Sequence, residues 1–133
     1  MLIRSLLKYL WAGPASAVGL AVAAISVFAQ ARVSVHSGVL EVSFRTQDRR
    51  SLPFTAITLG HVVIAASLDE QVRLRAHERA HVAQYEVWGP FFLVAYPIES
   101  MFQLLLGRRP YLDNRFELQA RRRAVRHAPR ELQ

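Results

Sequence analysis

The sequence predicts an α+β fold: an N-terminal membrane helix, a small mostly antiparallel sheet, then three helices. Three observations lead there. An uncharged apolar run fills residues 10–29, alternating and β-branched apolar residues fill 33–66, and helix-opening signals recur at Ser67 and at Asp113-Asn114. The 133 residues make one domain, with too little chain for two lobes around a cleft. Residues 1–31 read as a membrane anchor or signal segment, and 32–133 as the folded domain with a basic tail. Cysteine is absent, which excludes disulfides, thiolate metal sites and cysteine nucleophiles. Apolar residues at 52% and charged residues at 20% exclude a disordered chain.

The apolar run is preceded by Arg4 and Lys8, and twenty helical residues span a ~30 Å hydrocarbon core. Ala29-Gln30-Ala31 has the small-x-small form of a signal-peptidase site, so cleavage competes with a retained anchor. The run exceeds the usual ~7–15 residue signal core and contains Gly13-Pro14 and Gly19, which favours retention. Basic residues ahead of the run put the N-terminus in the cytoplasm, as a single-pass or monotopic protein. A single span then leaves the rest outside, whereas the tail's arginines prefer the cytoplasmic face; both placements stand. A second apolar stretch, 88–107, contains Pro97, Glu99 and Gln103 and makes a poor spanning helix.

Val33 and Val35, then Ser37-Gly38, then Val39, Leu40, Val42 and Phe44 read as a β-hairpin. Residues 46–51 read as a loop. Residues 54–66 read as one or two further strands, with Gly60 marking a bulge or close approach. Ser67 with Glu70 matches a capping box, and the helix it opens stops at Gly89-Pro90. A last helix begins near Asp113 or Asn114, runs to about His127 and ends at Pro129.

Inside the capped helix stands His77-Glu78-Arg79-Ala80-His81. Histidines four apart share a helix face, so both imidazoles reach one ion, and the glutamate between them can take a proton from a metal-bound water. This is the HExxH arrangement of zinc hydrolases. The bland alternative is a solvated helix face, since Arg73, Arg75 and Arg79 mark a wet side. Val72, Ala76, Ala80, Ala83 and Val87 form an apolar stripe beside the histidines, which puts the motif at the edge of a buried face.

A third ligand must come from Glu86, Glu99, Asp113, Glu117 or His127. Glu86 is on the same rigid helix, more than a turn beyond His81. Glu117 lies in the first turn of the last helix, where it can also serve as a capping-box glutamate three residues after Asn114. Ala120, one turn on, leaves room for close approach, and Phe116 and Val125 can dock that helix. His61, beside Gly60, can polarise a substrate carbonyl, orient a ligand, or be an ordinary hydrogen-bonded strand histidine. Tyr85 and Trp88 read as core.

With His77, Glu78, His81 and a later helical Glu117, the chain resembles the gluzincin class of zinc metallopeptidases. It also resembles a group of small bacterial membrane-associated proteins, through Trp11-Ala-Gly-Pro14, residues 56–61, 77–90 and 111–120. The resemblance implies zinc held by His77, His81 and Glu117. It implies Glu78 as general base on the zinc-bound water, peptide or protein substrates, and substrate docking along the strand at 57–66. Two departures count against turnover. The aspartate that in the family follows the glutamate ligand by four residues, orienting a histidine, is Arg121 here. The lobe supplying a transition-state-stabilising His or Tyr has no room, leaving His61 and Tyr111 as possible auxiliaries. A catalytically inactive metal-binding membrane protein, or a membrane-surface interaction module, is therefore the alternative.

Membrane lipid is the expected second partner. Eight arginines after residue 107 contribute to a net charge of +7. No aromatic residues interleave with Arg121-Arg122-Arg123 to stack bases, so no nucleic acid is expected. Zinc binding also constrains topology. If 88–107 crossed a bilayer, His81 and Glu117 would lie on opposite faces, so that segment must return to the same side.

Overall fold

Ser37 and Gly38 both adopt positive φ, 47° and 76°, the backbone of a two-residue hairpin turn. They bring β1 (Arg32–His36) and β2 (Val39–Ser43) together antiparallel, with Val33 opposite Val42. A second antiparallel pair, β3 (Ala56–Leu59) and β4 (Val62–Ala65), turns at Gly60-His61. The computed structural model describes residues 1–45 and 55–127. The loop expected at 46–51, the strand start at Phe54 and the helix stop at Pro129 lie outside the described residues. The two hairpins join through β2 and β4, which run parallel with Leu40 opposite Val62, giving the order β1-β2-β4-β3. The sheet is thus mixed. The expectation of a mostly antiparallel sheet holds within each hairpin and fails at the centre, where no turn dictates the pairing.

Alternation along the central strands sorts side chains between two helices. Val42, Val62 and Ile64 pack with Ala23 on one face, and Val39 and Val63 pack with Val82 on the other. Ala23 belongs to α2 (Gly13–Phe28), which follows α1 (Leu2–Trp11). The N-terminal segment, expected as an anchor, lays one face on the sheet through Gly19 and Ala23, while Ala15 of the same face packs with Tyr85 and Phe92. A Cβ at Gly19 would sit 2.7 Å from Val62 Cβ, so the close approach needs glycine there. Among the described residues no single helix is long and apolar enough to cross a membrane; α1 and α2 pass together on length and composition but meet at 68°.

The opposite face carries α3 (Leu68–Trp88), where Ser67 Oγ accepts the Glu70 N–H at 3.2 Å. The helix stops at Gly89, whose φ of +59° and contact with the Trp11 indole leave no room for a side chain. A 3₁₀ turn at Gly89–Phe91 leads to α4 (Phe92–Leu105), which continues through Pro97, and α5 (Arg115–His127) returns along α3. Fourteen residues extend only about 21 Å, short of a bilayer core, and α4 leaves both ends of the ligand set together.

The face α3 buries is only in part the expected one: Ala80 and Tyr85 are buried as expected. Val72 and Val87 are exposed, whereas Gln71, Glu78, His81 and Gln84 are buried. Arg75 and Arg79, expected on the wet side, fold onto the buried Glu41 of β2. Hydrogen bonds and ion pairs to the polar face outweigh the small gain from burying alanines and valines. Trp88 is half-exposed against Phe116, and Val125 points outward, so neither is the core residue expected.

Candidate metal centre

His77 and His81 stand one turn apart on α3, and Glu117 faces them from the first turn of α5. His81 Nε2 lies 3.2 Å from His77 Nε2 and 3.2 Å from Glu117 Oε1, and His77 Nε2 lies 3.0 Å from Glu117 Oε2. Donors bound tetrahedrally at about 2.0–2.1 Å stand about 3.3 Å apart, so these spacings fit a common ion. The three residues can hold a metal ion. Glu117 Oε2 is fully buried and, apart from the His77 ring nitrogen at 3.0 Å, has no polar partner among the described residues. A desolvated carboxylate oxygen left in that state calls for a cation.

The tautomer of His81 agrees. Gln84 Nε2 donates to the Phe116 carbonyl at 3.0 Å and to Gln119 Oε1 at 2.7 Å, which leaves Gln84 Oε1 as an acceptor. His81 Nδ1 therefore donates to it, at 2.8 Å, which turns Nε2 toward Glu117, where the neutral ring offers a lone pair to an ion. Gln84 orients this histidine from its own helix, a task the family pattern gives to the position of Arg121. Arg121 instead donates to the Leu112 carbonyl.

Glu117 is not a capping glutamate: Asn114 Oδ1 caps α5 through the Phe116 N–H at 2.9 Å, while the Glu117 carboxylate turns to the histidines and to the Tyr96 hydroxyl, which donates at 2.6 Å. Burial pushes the Glu117 pKa up, but the two imidazoles and Tyr96 outweigh it and hold the carboxyl far below its usual range. Burial pushes His81 down, yet its carboxylate neighbours Glu117 and Glu78 hold it above the ordinary imidazole value. Glu78 lies beside the cluster, its Oε2 accepting from Thr58 Oγ1 of β3 at 2.6 Å.

A cavity of about 310 Å³ opens onto these groups, walled by β3 from Ala56 to Leu59 and by Phe92, Leu93, Tyr96 and Pro97 of α4. A shallower groove shares Ala56, His77, Glu78 and Tyr111 with it and continues toward Arg73 and Arg121. Tyr111 lines both and stays protonated, raised first by burial and then by the nearby Glu117 and Glu78 charges. Burial alone lifts Tyr85, another lining residue, to about 12.

The remaining candidates are engaged elsewhere. His61 is buried in the β3–β4 turn, stacked on Tyr9 at 4.2 Å with Nε2 3.2 Å from Glu86, and does not line the cavity. Its Nε2 thus has a hydrogen-bond partner, as a strand histidine would, whereas its buried Nδ1 has none. Glu86 also binds Lys8 at 2.8 Å, Glu99 bonds Gln103, Asp113 pairs with Arg109, and the His127 ring bonds the Arg123 carbonyl. Thr58, Gln84 and Tyr96 escaped the sequence reading. Only Gln84, three residues after a ligand on one helix, carried a local signal.

The chain matches no known family model, no curated protein and no solved structure, so the geometry alone carries the functional assignment.

Proposed function

We propose that this protein is a membrane-associated zinc-dependent hydrolase that cleaves peptide bonds. The observation that carries the proposal is the convergence of His77, His81 and the orphaned Glu117 oxygen beside Glu78. Without thiolates, a two-imidazole, one-carboxylate donor set suits zinc. When bound, the ion supplies Lewis-acid polarisation of a carbonyl and makes a water more acidic. This chain's residues do the rest.

Glu78, fixed by Thr58 through one oxygen, takes a proton from the attacking water and can return it to the leaving amine. Tyr111, a protonated hydroxyl at the cavity wall, is placed to donate to the oxyanion that develops on the carbonyl. Strand β3 pairs only with β4 among the described residues, and the cavity and groove both follow it. An extended chain laid there would present its carbonyls to the cluster.

Glu78→Gln keeps shape and spares the three ligands. The wild type is expected to cleave a peptide library while Glu78→Gln, carrying equal zinc, loses cleavage by about 10²–10⁴-fold. A wild type that binds zinc but cleaves nothing would leave the inactive metal-binding alternative.

A further inference from the structure

Helix α4 is inside out. Beyond Phe92, which packs in the core with Tyr85, its stripe facing the protein is Tyr96, Glu99, Ser100 and Gln103, at helical spacing. These groups are satisfied by one another and by α5: Gln103 Nε2 donates to Glu99 at 2.7 Å, and the buried Asn114 donates to the Tyr96 carbonyl at 3.2 Å and to Ser100 Oγ at 2.8 Å. Its outward stripe is Val94, Ile98, Met101 and Leu105, exposed by 57%, 62%, 56% and 79%. A helix packed on a water-soluble domain shows the reverse polarity. Contiguous exposed apolar area of this kind marks a partner surface.

Helix α1 has the same character and touches the 3₁₀ turn that leads into α4, Trp11 lying 5.9 Å from Phe91 ring to ring. Its inner side is tied down by Lys8 to Glu86 and by the Trp11 indole N–H to the Val87 carbonyl at 3.1 Å. Its outer side shows Ile3, Leu6, Leu7 and Leu10, all more than half exposed.

Charge selects the occupant. Arg4 on α1 and Arg108 just past the end of α4 are exposed, on a chain of net charge +7, while the neighbouring Arg109 is paired with Asp113. Anionic lipid headgroups complement that rim, whereas a second copy would bring like charges together. Neither helix is long enough to cross a bilayer alone. We infer that the outward faces of α4 and α1 seat the protein in the plane of one leaflet of an anionic bilayer. Leu93 and Pro97, exposed residues of the cavity wall, are next to Val94 and Ile98 on the same helix, so the seating puts the cavity mouth at the lipid–water boundary. If the hydrolase reading holds, the substrate is then an extended apolar peptide segment lying at the membrane surface.

The test is flotation of the full chain with vesicles of phosphatidylcholine, alone or mixed with phosphatidylglycerol. Wild type should float with the mixed vesicles. Ile98→Glu with Met101→Glu should lower the bound fraction at least about tenfold while keeping bound zinc, and Val125→Glu, an equally exposed site on α5, should not. His81→Ala, which removes a metal ligand, should still float, so failure of the metal reading leaves this result intact. The chain has no cysteine, so a spin label at Ile98→Cys reports depth uniquely and should lie shallow. Wild type that stays unbound, or a double glutamate variant that floats normally, overturns the inference. So does a label at mid-bilayer, or a dimer in solution that the glutamates dissociate without changing flotation.

Discussion

Glu41 and Glu117 are both buried carboxylates, 2% and 3% exposed, and both face α3. Glu41 takes Arg75 as a two-pronged partner, Nε on Oε1 at 3.0 Å and Nη2 on Oε2 at 2.8 Å, with Gln71 on Oε2 at 2.7 Å and Arg79 at 3.7 Å. Its charge is met by permanent cations and its oxygens are satisfied. Glu117 faces two imidazoles, one turned by Gln84 so that Nε2, the nitrogen free to trade a proton for an ion, points at the carboxylate. It keeps one oxygen unsatisfied and opens onto a cavity. Burial and positively ionisable neighbours are common to both. What separates a candidate site from a structural clamp is the incomplete electrostatics, which a divalent ion or a proton on His81 would complete.

The sharpest way to break this comparison is to exchange the losses. Glu117→Ala and His81→Ala should each weaken zinc binding by more than about 100-fold, read by competition with a chelating dye. Arg75→Ala should leave zinc affinity unchanged yet cost on the order of 3 kcal/mol of stability, since it strands a buried charge. If Glu117→Ala keeps its zinc while His81→Ala loses it, the third ligand lies elsewhere and the gluzincin resemblance fails with it.

Orientation comes next in size. Gln84→Ala frees His81 to rotate and to change tautomer, so zinc affinity should fall about 10–100-fold with all three ligands present. An unchanged affinity would mean that packing against Phe92 and Tyr96 alone holds the ring.

The smallest effect is in pH. Burial pushes Glu41 up, but Arg75, Gln71 and Arg79 outweigh it and lower its pKa in the fold. Its contribution is therefore present above the unfolded value of 4.5 and is lost as pH falls through the lowered one. His81, raised in the fold, contributes below its unfolded value of 6.5 and loses that contribution as pH rises through the raised one. Metal-free protein should thus show its highest Tm between those two values. Added zinc should remove the decline on the alkaline side, because the ion takes the proton's place, while the acid side reflects Glu41 and Glu117 together with release of the ion as the imidazoles protonate. A decline at high pH that zinc does not touch would detach His81 from the metal centre.

The amino-acid sequence by itself determined what depends on neighbours in the chain. Ser37-Gly38 can supply two positive-φ residues, so the hairpin was legible. Ser67 ahead of an acidic first turn opened α3, and Gly89-Pro90 closed it. His77 and His81 share a face because helix geometry is fixed. Tertiary structure decided the rest. The parallel β2–β4 pairing joins strands separated by a hairpin's length, with no local turn to dictate it. The buried face of α3 was only partly legible because its polar side chains find partners on β2, β3 and α5, and no periodicity announces such partners. Glu117 could be narrowed to one of several carboxylates by spacing, but its competition with a capping role was resolved only when α4, too short to cross a bilayer, returned α5 to the HExxH helix. The polarity of α4 was invisible for the same reason: a stripe of apolar residues at helical spacing looks identical whether it faces a core or a solvent, and only the packing says which.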